Sequence, residues 1–115
     1  MYIHENAQVH PTAIIGPNVT IAADVRIKAG VRVRNSIILE SVTLHKHSCI
    51  IDSIIGWNSV IGPWARIEGD YNSTEENPIS ILGLTVKVAA ETYLRKVIVV
   101  SHKEIVENSK NTIIL

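Results

Sequence analysis

The sequence is short of cysteine, of aromatic residues and of net charge. Of its 115 residues, one is cysteine (Cys49) and none is phenylalanine. A single cysteine excludes an intrachain disulfide and a zinc site built from several cysteines. Eleven basic side chains balance eleven acidic ones, so no global charge attracts nucleic acid or an anionic membrane. No apolar run approaches the ~20 residues that span a bilayer, and no secretory signal is evident. We therefore expect a single-domain cytoplasmic protein.

Aliphatic side chains make up most of what remains. Apolar residues account for 46% of the chain, yet only five residues are aromatic, so a core must be built from Ile, Val and Leu. β-Branched side chains favour strands over helices.

These aliphatic residues recur at steps of six, with occasional steps of five. Starting from Ile3, the steps mark sixteen positions in three columns, and all sixteen are Ile, Val or Leu. The first column is Ile3, Ile21, Ile38, Ile55, Leu82 and Val99; the second is Val9, Ile27, Leu44, Ile61 and Val88; the third is Ile15, Val33, Ile50, Ile67 and Leu94. Every five-residue step falls between the third column and the first. This period predicts three short strands per coil, stacked into a triangular prism.

One step, from Ile67 to Leu82, is fifteen residues long. It equals a step of five plus an insertion of ten, and residues 69–78 are rich in turn-forming and charged side chains. We predict a corner loop there that preserves the register. The solenoid is predicted to occupy residues 1–100, in about five to six coils. Residues 101–115 are predicted to form a C-terminal tail packed on it, with helix over residues 104–111.

Three short motifs resemble the hexapeptide repeat of left-handed parallel β-helices: residues 15–21 (Ile-Gly-Pro-Asn-Val-Thr-Ile), Ile55-Gly56 and Ile61-Gly62. The resemblance implies the left-handed winding, which the spacing does not reveal. The predicted fold class is therefore all-β, a left-handed parallel β-helix.

Longer segments resemble the C-terminal domain of GDP-mannose pyrophosphorylase, also called mannose-1-phosphate guanylyltransferase. They include residues 35–39, 52–57, 62–68, 81–83, 101–104 and 113–115. The insertion and the Ile-Ile-Leu ending are more similar to the alpha, regulatory-type subunit than to the catalytic beta subunit. The nucleotidyltransferase domain of that family has no counterpart here, and the six glycines form no phosphate loop. The resemblance implies a non-catalytic assembly and regulatory domain that forms homo-oligomers or binds the catalytic subunit. A nucleotide sugar would be held only by the missing domain.

Candidate interface residues fall into three groups. Two tryptophans just after column positions would stand outside the prism as anchors for an interface. Four basic residues would form a ridge on two neighbouring faces, which suits a phosphate or an acidic partner. Three acidic residues would give the loop a negative tip, which suits a basic nucleotide pocket of a partner. The groups are Trp57 and Trp64; Arg26, Lys28, Arg32 and Arg34; and Asp70, Glu75 and Glu76. The plainer interpretation of the basic group is a solvated strand surface, and that of the acidic group is a disordered acidic loop. Packing against the C-terminal segment explains the tryptophans equally well. We predict no catalytic, cofactor-binding or metal site.

Two alternatives remain open. His45 and His47, close to Cys49, have spacing that a metal site can use, although exposed turn histidines explain them as well. A stand-alone hexapeptide-repeat acyltransferase that uses acyl-CoA would need a loop histidine as general base. The candidates by residue type are His4, His10, His47 and His102.

Overall fold

A computed structural model describes residues 1–70 and 79–114, and all regular structure in these ranges is β-strand. The first sheet contains β1 (Tyr2–Ile3), β4 (Val19–Ile21), β7 (Ser36–Ile38), β10 (Ser53–Ile55), β13 (Ser80–Leu82), β16 (Ile98–Val99) and β19 (Ile113–Ile114). The second contains β2 (Gln8–Val9), β5 (Arg26–Ile27), β8 (Thr43–Leu44), β11 (Val60–Ile61), β14 (Lys87–Val88) and β17 (Glu104–Ile105). The third contains β3 (Ile14–Ile15), β6 (Arg32–Arg34), β9 (Cys49–Ile51), β12 (Arg66–Glu68), β15 (Tyr93–Arg95) and β18 (Ser109–Lys110).

The chain visits the three sheets in turn, and every strand pairs in parallel with the strand one coil away. The result is a β-solenoid of about six turns, consistent with a left-handed β-helix. The predicted columns are confirmed by the register. Ile21 pairs with Ile38, Ile27 with Leu44, and Val33 with Ile50. Within the described ranges there is no helix long and apolar enough to cross a membrane.

Column side chains fill the interior. Thirteen of the sixteen are buried, and those of Ile21, Ile38 and Ile50 have no exposed surface. The exceptions, Ile3, Val9 and Ile15, belong to the first coil, which has a neighbour on one side only. None of the described aromatic residues is buried, so aliphatic stacking accounts for the lack of phenylalanine.

A second inward position lies two residues before each column position and holds small side chains. Val25, Val42 and Ala65 are buried there, as are several serines. The Ser36 hydroxyl donates to the carbonyl oxygen of Arg34 (2.7 Å) and accepts from the Ser53 amide (3.2 Å). Such hydroxyls satisfy buried backbone groups at the corner between the third and first sheets.

The corners share one backbone conformation. Among the described residues, thirteen that are not glycine have φ between 49° and 64°, and each lies three positions before an inward-facing residue. Six are Asn or Asp, which adopt this left-handed region most readily after glycine. The others include Trp64, Glu91 and Lys96, for which it is unfavourable. Corner geometry is therefore imposed by the coil as much as by local preference.

The strand register is unchanged across the insertion, as predicted: Leu82 pairs with Ile55. Most of the predicted loop, residues 71–78, lies outside the described residues. At the C-terminus, Val88 pairs with Ile105, and Val99 with Ile114. The helix expected over residues 104–111 is wrong, since β17 and β18 occupy that segment. The last aliphatic side chains add to the existing columns and extend the pairing past the predicted boundary at residue 100.

Candidate functional site

The outer face of the first sheet is apolar over its last five strands. The residue before each column position points outward, and in this sheet the register aligns Ile37, Ile54, Ile81, Ile98 and Ile113. Ile37 and Ile113 are 41% and 54% exposed, and the other three are half-buried. We call these five residues the isoleucine ladder. The ladder was not predicted, although the repeated Ser-Ile-Ile at residues 36–38 and 53–55 contained the signal.

The outer face of the second sheet is mixed. Gln8, Arg26, Thr43, Val60 and Lys87 follow one another in register. The predicted ridge residues Arg26 and Lys28 therefore lie on this face. They line a shallow depression of about 290 Å³ together with His10.

The outer face of the third sheet carries the other two ridge residues. Arg32 and Arg34 on β6 line a groove of about 530 Å³ with Cys49 and Arg66. We call it the arginine groove. Arg66 was not among the predicted interface residues. Arg32, Cys49 and Arg66 are aligned across three neighbouring strands. Arg66 was missed because only the coil period brings it near Cys49.

A small network orients Arg66. Its Nε atom donates to Glu68 Oε1, and the Tyr93 hydroxyl donates to Glu68 Oε2 at 2.9 Å. The hydrogen bond to Glu68 raises the pKa of Arg66. Partial burial, and then the bond to Glu68, raise the pKa of Tyr93. Burial also raises the pKa of Cys49, and this effect outweighs the opposing effect of the Arg66, Arg32 and Arg34 charges.

The two predicted tryptophan anchors lie at different corners. Trp57 is 49% exposed and follows Gly56 at the corner between the first and second sheets, so it borders the isoleucine ladder. Trp64 is 59% exposed and lies at the corner between the second and third sheets, where its indole stacks on the His47 imidazole. The structure therefore does not bring them together.

The acidic group is described only in part. Asp70 lies 3.6 Å from the Arg95 guanidinium (Oδ2 to Nη2). Glu75 and Glu76 lie outside the described residues. Their role as a negative tip that enters a partner's pocket stays a prediction.

The histidines of the two alternatives occupy surface corners. His47 stacks on Trp64, and His10 Nδ1 lies 2.8 Å from the Thr12 hydroxyl. Across residues 1–70 and 79–114, no three His, Cys, Asp or Glu side chains are grouped so that they would hold a metal ion.

Comparison with known sequences places this geometry in a family. The family model described as "GMPPB C-terminal domain" matches residues 1–114. The chain belongs to this family. It is also similar to the mannose-1-phosphate guanylyltransferase regulatory subunit alpha of Papio anubis, with 48% identity over the whole chain and 32% of that protein. Regulatory subunit alpha-B of Danio rerio is 46% identical, again over the whole chain and 32% of that protein. The chain thus spans about a third of the length of these relatives, and the predicted resemblance is confirmed.

Solved structures show the same fold in acyltransferases. A perosamine N-acetyltransferase from Caulobacter crescentus, in complex with CoA and GDP-perosamine, superposes with a TM-score of 0.54 at 19% identity, over 95% of this chain and 50% of that one. A UDP-N-acetylglucosamine acyltransferase from Francisella novicida gives 0.54 at 18%, over 95% and 60%. At these identities the likeness concerns the fold alone.

Proposed function

We propose that this chain is a non-catalytic assembly and regulatory domain of a mannose-1-phosphate guanylyltransferase. It docks on the catalytic subunit through the isoleucine ladder, with Trp57 at the border of the contact. The ladder is the observation that carries the proposal. The naming of the relatives as regulatory subunits supports the choice of partner.

The chemistry of the face supports docking. Parallel sheets are ordinarily covered on both faces, and their strands then contain continuous aliphatic runs. The first sheet has such runs, yet one face is open to solvent at Ile37 and Ile113. In-register ladder positions carry no charge, so they complement an apolar, uncharged partner surface.

The isoleucine ladder alone is too small for a stable protein contact. It runs over five strands, which at about 4.8 Å per strand gives a length of about 19 Å. A strip of this length and one side chain in width covers less than the ~800 Å² that each partner buries in a standard interface. The corner beside it must therefore contribute, and Trp57 is an exposed aromatic residue of the kind that anchors such contacts.

The test compares two substitutions to lysine in the same coil. Ile54 lies on the ladder and Val60 faces outward on the second sheet, and both are half-buried. We expect Ile54→Lys to weaken binding to the catalytic subunit at least tenfold, because the interface would bury an unpaired charge. Val60→Lys should leave binding within twofold. Surface plasmon resonance on the immobilised catalytic subunit measures both.

Thermal unfolding of both variants checks that they fold. If Ile54→Lys unfolds at a much lower temperature than Val60→Lys, Ile37→Lys replaces it in the binding test. Ile37 is 41% exposed and contributes less to the core. Equal binding by the ladder variants and Val60→Lys would refute the docking face. Light scattering of the unmodified chain and of Ile37→Lys tests whether a second copy covers the ladder in place of the catalytic subunit. A dimer that this substitution abolishes would also refute the proposal.

The acyltransferase alternative makes a separate prediction. It requires acetyl-CoA to bind between subunits, whereas the assembly domain does not bind it. Isothermal titration with acetyl-CoA separates the two, and saturable binding would count against the assembly domain.

A further inference from the structure

The arginine groove is independent of the proposed docking face, since it lies on the third sheet rather than the first. Gly16 and Pro17 form one end of the groove, and Ile14 and Ile51 give it apolar walls. Three guanidinium groups and one thiol line the rest. The groove is open to solvent and large enough for a small ligand.

The spacing of the arginines follows from the coil. Arg32 and Arg66 lie on either side of Cys49 on successive strands, so their backbones are about 10 Å apart. Arg34 is two residues beyond Arg32 on β6 and faces the same way, about 7 Å further along the strand. All three arginines line the groove beside Cys49, and flexible arginine side chains are long enough to reach one ligand across these distances.

The charges in the groove are unbalanced. Glu68 pairs with Arg66 and is the carboxylate in direct contact with the cluster. Within residues 1–70 and 79–114, neither Arg32 nor Arg34 forms an ion pair. Three guanidinium groups therefore face one carboxylate. Like charges held this close repel, and a bound anion relieves the repulsion.

We propose that the arginine groove binds a small multivalent phosphate-type anion, such as pyrophosphate or the phosphate of an ester. The planar guanidinium fork matches phosphate oxygens in a bidentate way, which a lysine cannot do. Arg32 and Arg34 supply the free charge, and Arg66 is held in place by Glu68 and Tyr93. The bound oxygens lie over Cys49.

The binding test uses inorganic pyrophosphate as the probe and this chain as the protein. We expect a 1:1 complex by isothermal titration in 0.15 M salt, and at least tenfold weaker binding for the double variant Arg32→Gln/Arg34→Gln. The matched control is Arg26→Gln/Lys28→Gln, which removes the same charge from the neighbouring face. It should bind within twofold of the unmodified chain. Equal loss in both double variants would show general charge attraction and overturn the proposal.

A second readout locates the bound anion. Cys49 is half-buried among the three arginines, so its alkylation by neutral iodoacetamide reports on the occupancy of the groove. Saturating pyrophosphate should slow alkylation at least fivefold, while potassium chloride at the same ionic strength should not. Unchanged alkylation would overturn the site. Protection by an acidic peptide but not by pyrophosphate would overturn it too, in favour of a protein contact.

Discussion

The imidazole of His47 lies against the indole of Trp64, with ring centroids 4.4 Å apart and ring planes inclined by 23°. Both residues occupy the left-handed corner position, one coil apart, and the Trp64 amide donates to the carbonyl oxygen of Lys46. Gly30 holds the same position one coil earlier, and its backbone has φ of 68°. The stack therefore rests on a residue without a side chain.

Replacement of Gly30 by alanine should destabilise the fold. The new Cβ would lie 2.3 Å from His47 Nδ1, and the positive φ adds backbone strain. We expect the free energy of unfolding to fall by about 1 to 3 kcal/mol, measured by urea denaturation. In a His47→Ala background the Cβ would meet no ring, so the loss of unfolding free energy should fall to the part caused by backbone strain at residue 30. An equal loss in both backgrounds would show that the ring contact is not responsible.

Two buried serines should respond to alanine in opposite ways. Ser36 accepts from the Ser53 amide, so Ser36→Ala leaves a buried N–H without a partner and should cost about 1 to 3 kcal/mol. Ser48 Oγ is buried with no hydrogen-bond partner, and the next coil has Ala65 in the same position. Ser48→Ala should therefore be neutral or stabilising. Urea denaturation of both variants measures the difference, and a reversed order would contradict it.

The adjacent residues Ile54 and Ile55 should differ in their effect on stability. The Ile55 side chain is completely buried, and Ile55→Ala should cost about 2 to 5 kcal/mol through the cavity that it leaves. Ile54 faces outward and is half-buried, so Ile54→Ala should cost about 1 kcal/mol or less. Thermal and urea unfolding distinguish the two. Similar costs would contradict the inward and outward assignment.

Stability should decline at alkaline pH because of Cys49. Its pKa is raised in the folded state, chiefly by burial, so the folded chain keeps a proton that the unfolded chain releases. The free energy of unfolding then falls as the pH rises above about 8.5, the pKa of an unfolded cysteine. Urea midpoints between pH 7 and 9.5 measure the decline. Cys49→Ala should flatten it, and an identical decline in that variant would rule the thiol out.

The sequence predicts the interior of this fold well, because in each strand unit of about six residues one large aliphatic side chain must fill a narrow prism. Ile105 also continues the second column, six residues after Val99, and it was missed where the period weakens. The next third-sheet residue, Ser109, pairs with Leu94 and is polar, so the aliphatic pattern is interrupted there before Ile114 resumes it. Periodicity therefore detects strands only while their inward residues are aliphatic.

The candidate surfaces were harder to predict. Arg32 and Arg34 were predicted from their charge. Arg66 lies near them only because β12 pairs with β9 and β9 pairs with β6, and each pairing aligns residues that are seventeen apart in the sequence. The isoleucine ladder was hidden because Ile54 is next to the column residue Ile55, and two adjacent aliphatic residues do not reveal which one faces inward. Surface groups on a solenoid are set by the register, which must be known first.

The near-constant distance along the chain between paired strands has a consequence for folding. Val33 and Ile50, like Ile21 and Ile38, are seventeen residues apart, so each winding closes a loop of similar, short length. Parallel sheets usually fold slowly because segments far apart in the sequence must pair. In this chain the paired segments are close in the sequence. The pairings that span the insertion are longer: Ile55 with Leu82, Ile61 with Val88 and Ile67 with Leu94 are each twenty-seven residues apart, at an added closure entropy of about 0.4 kcal/mol for that coil. The chain can thus assemble as a zipper, each winding forming on the one before it.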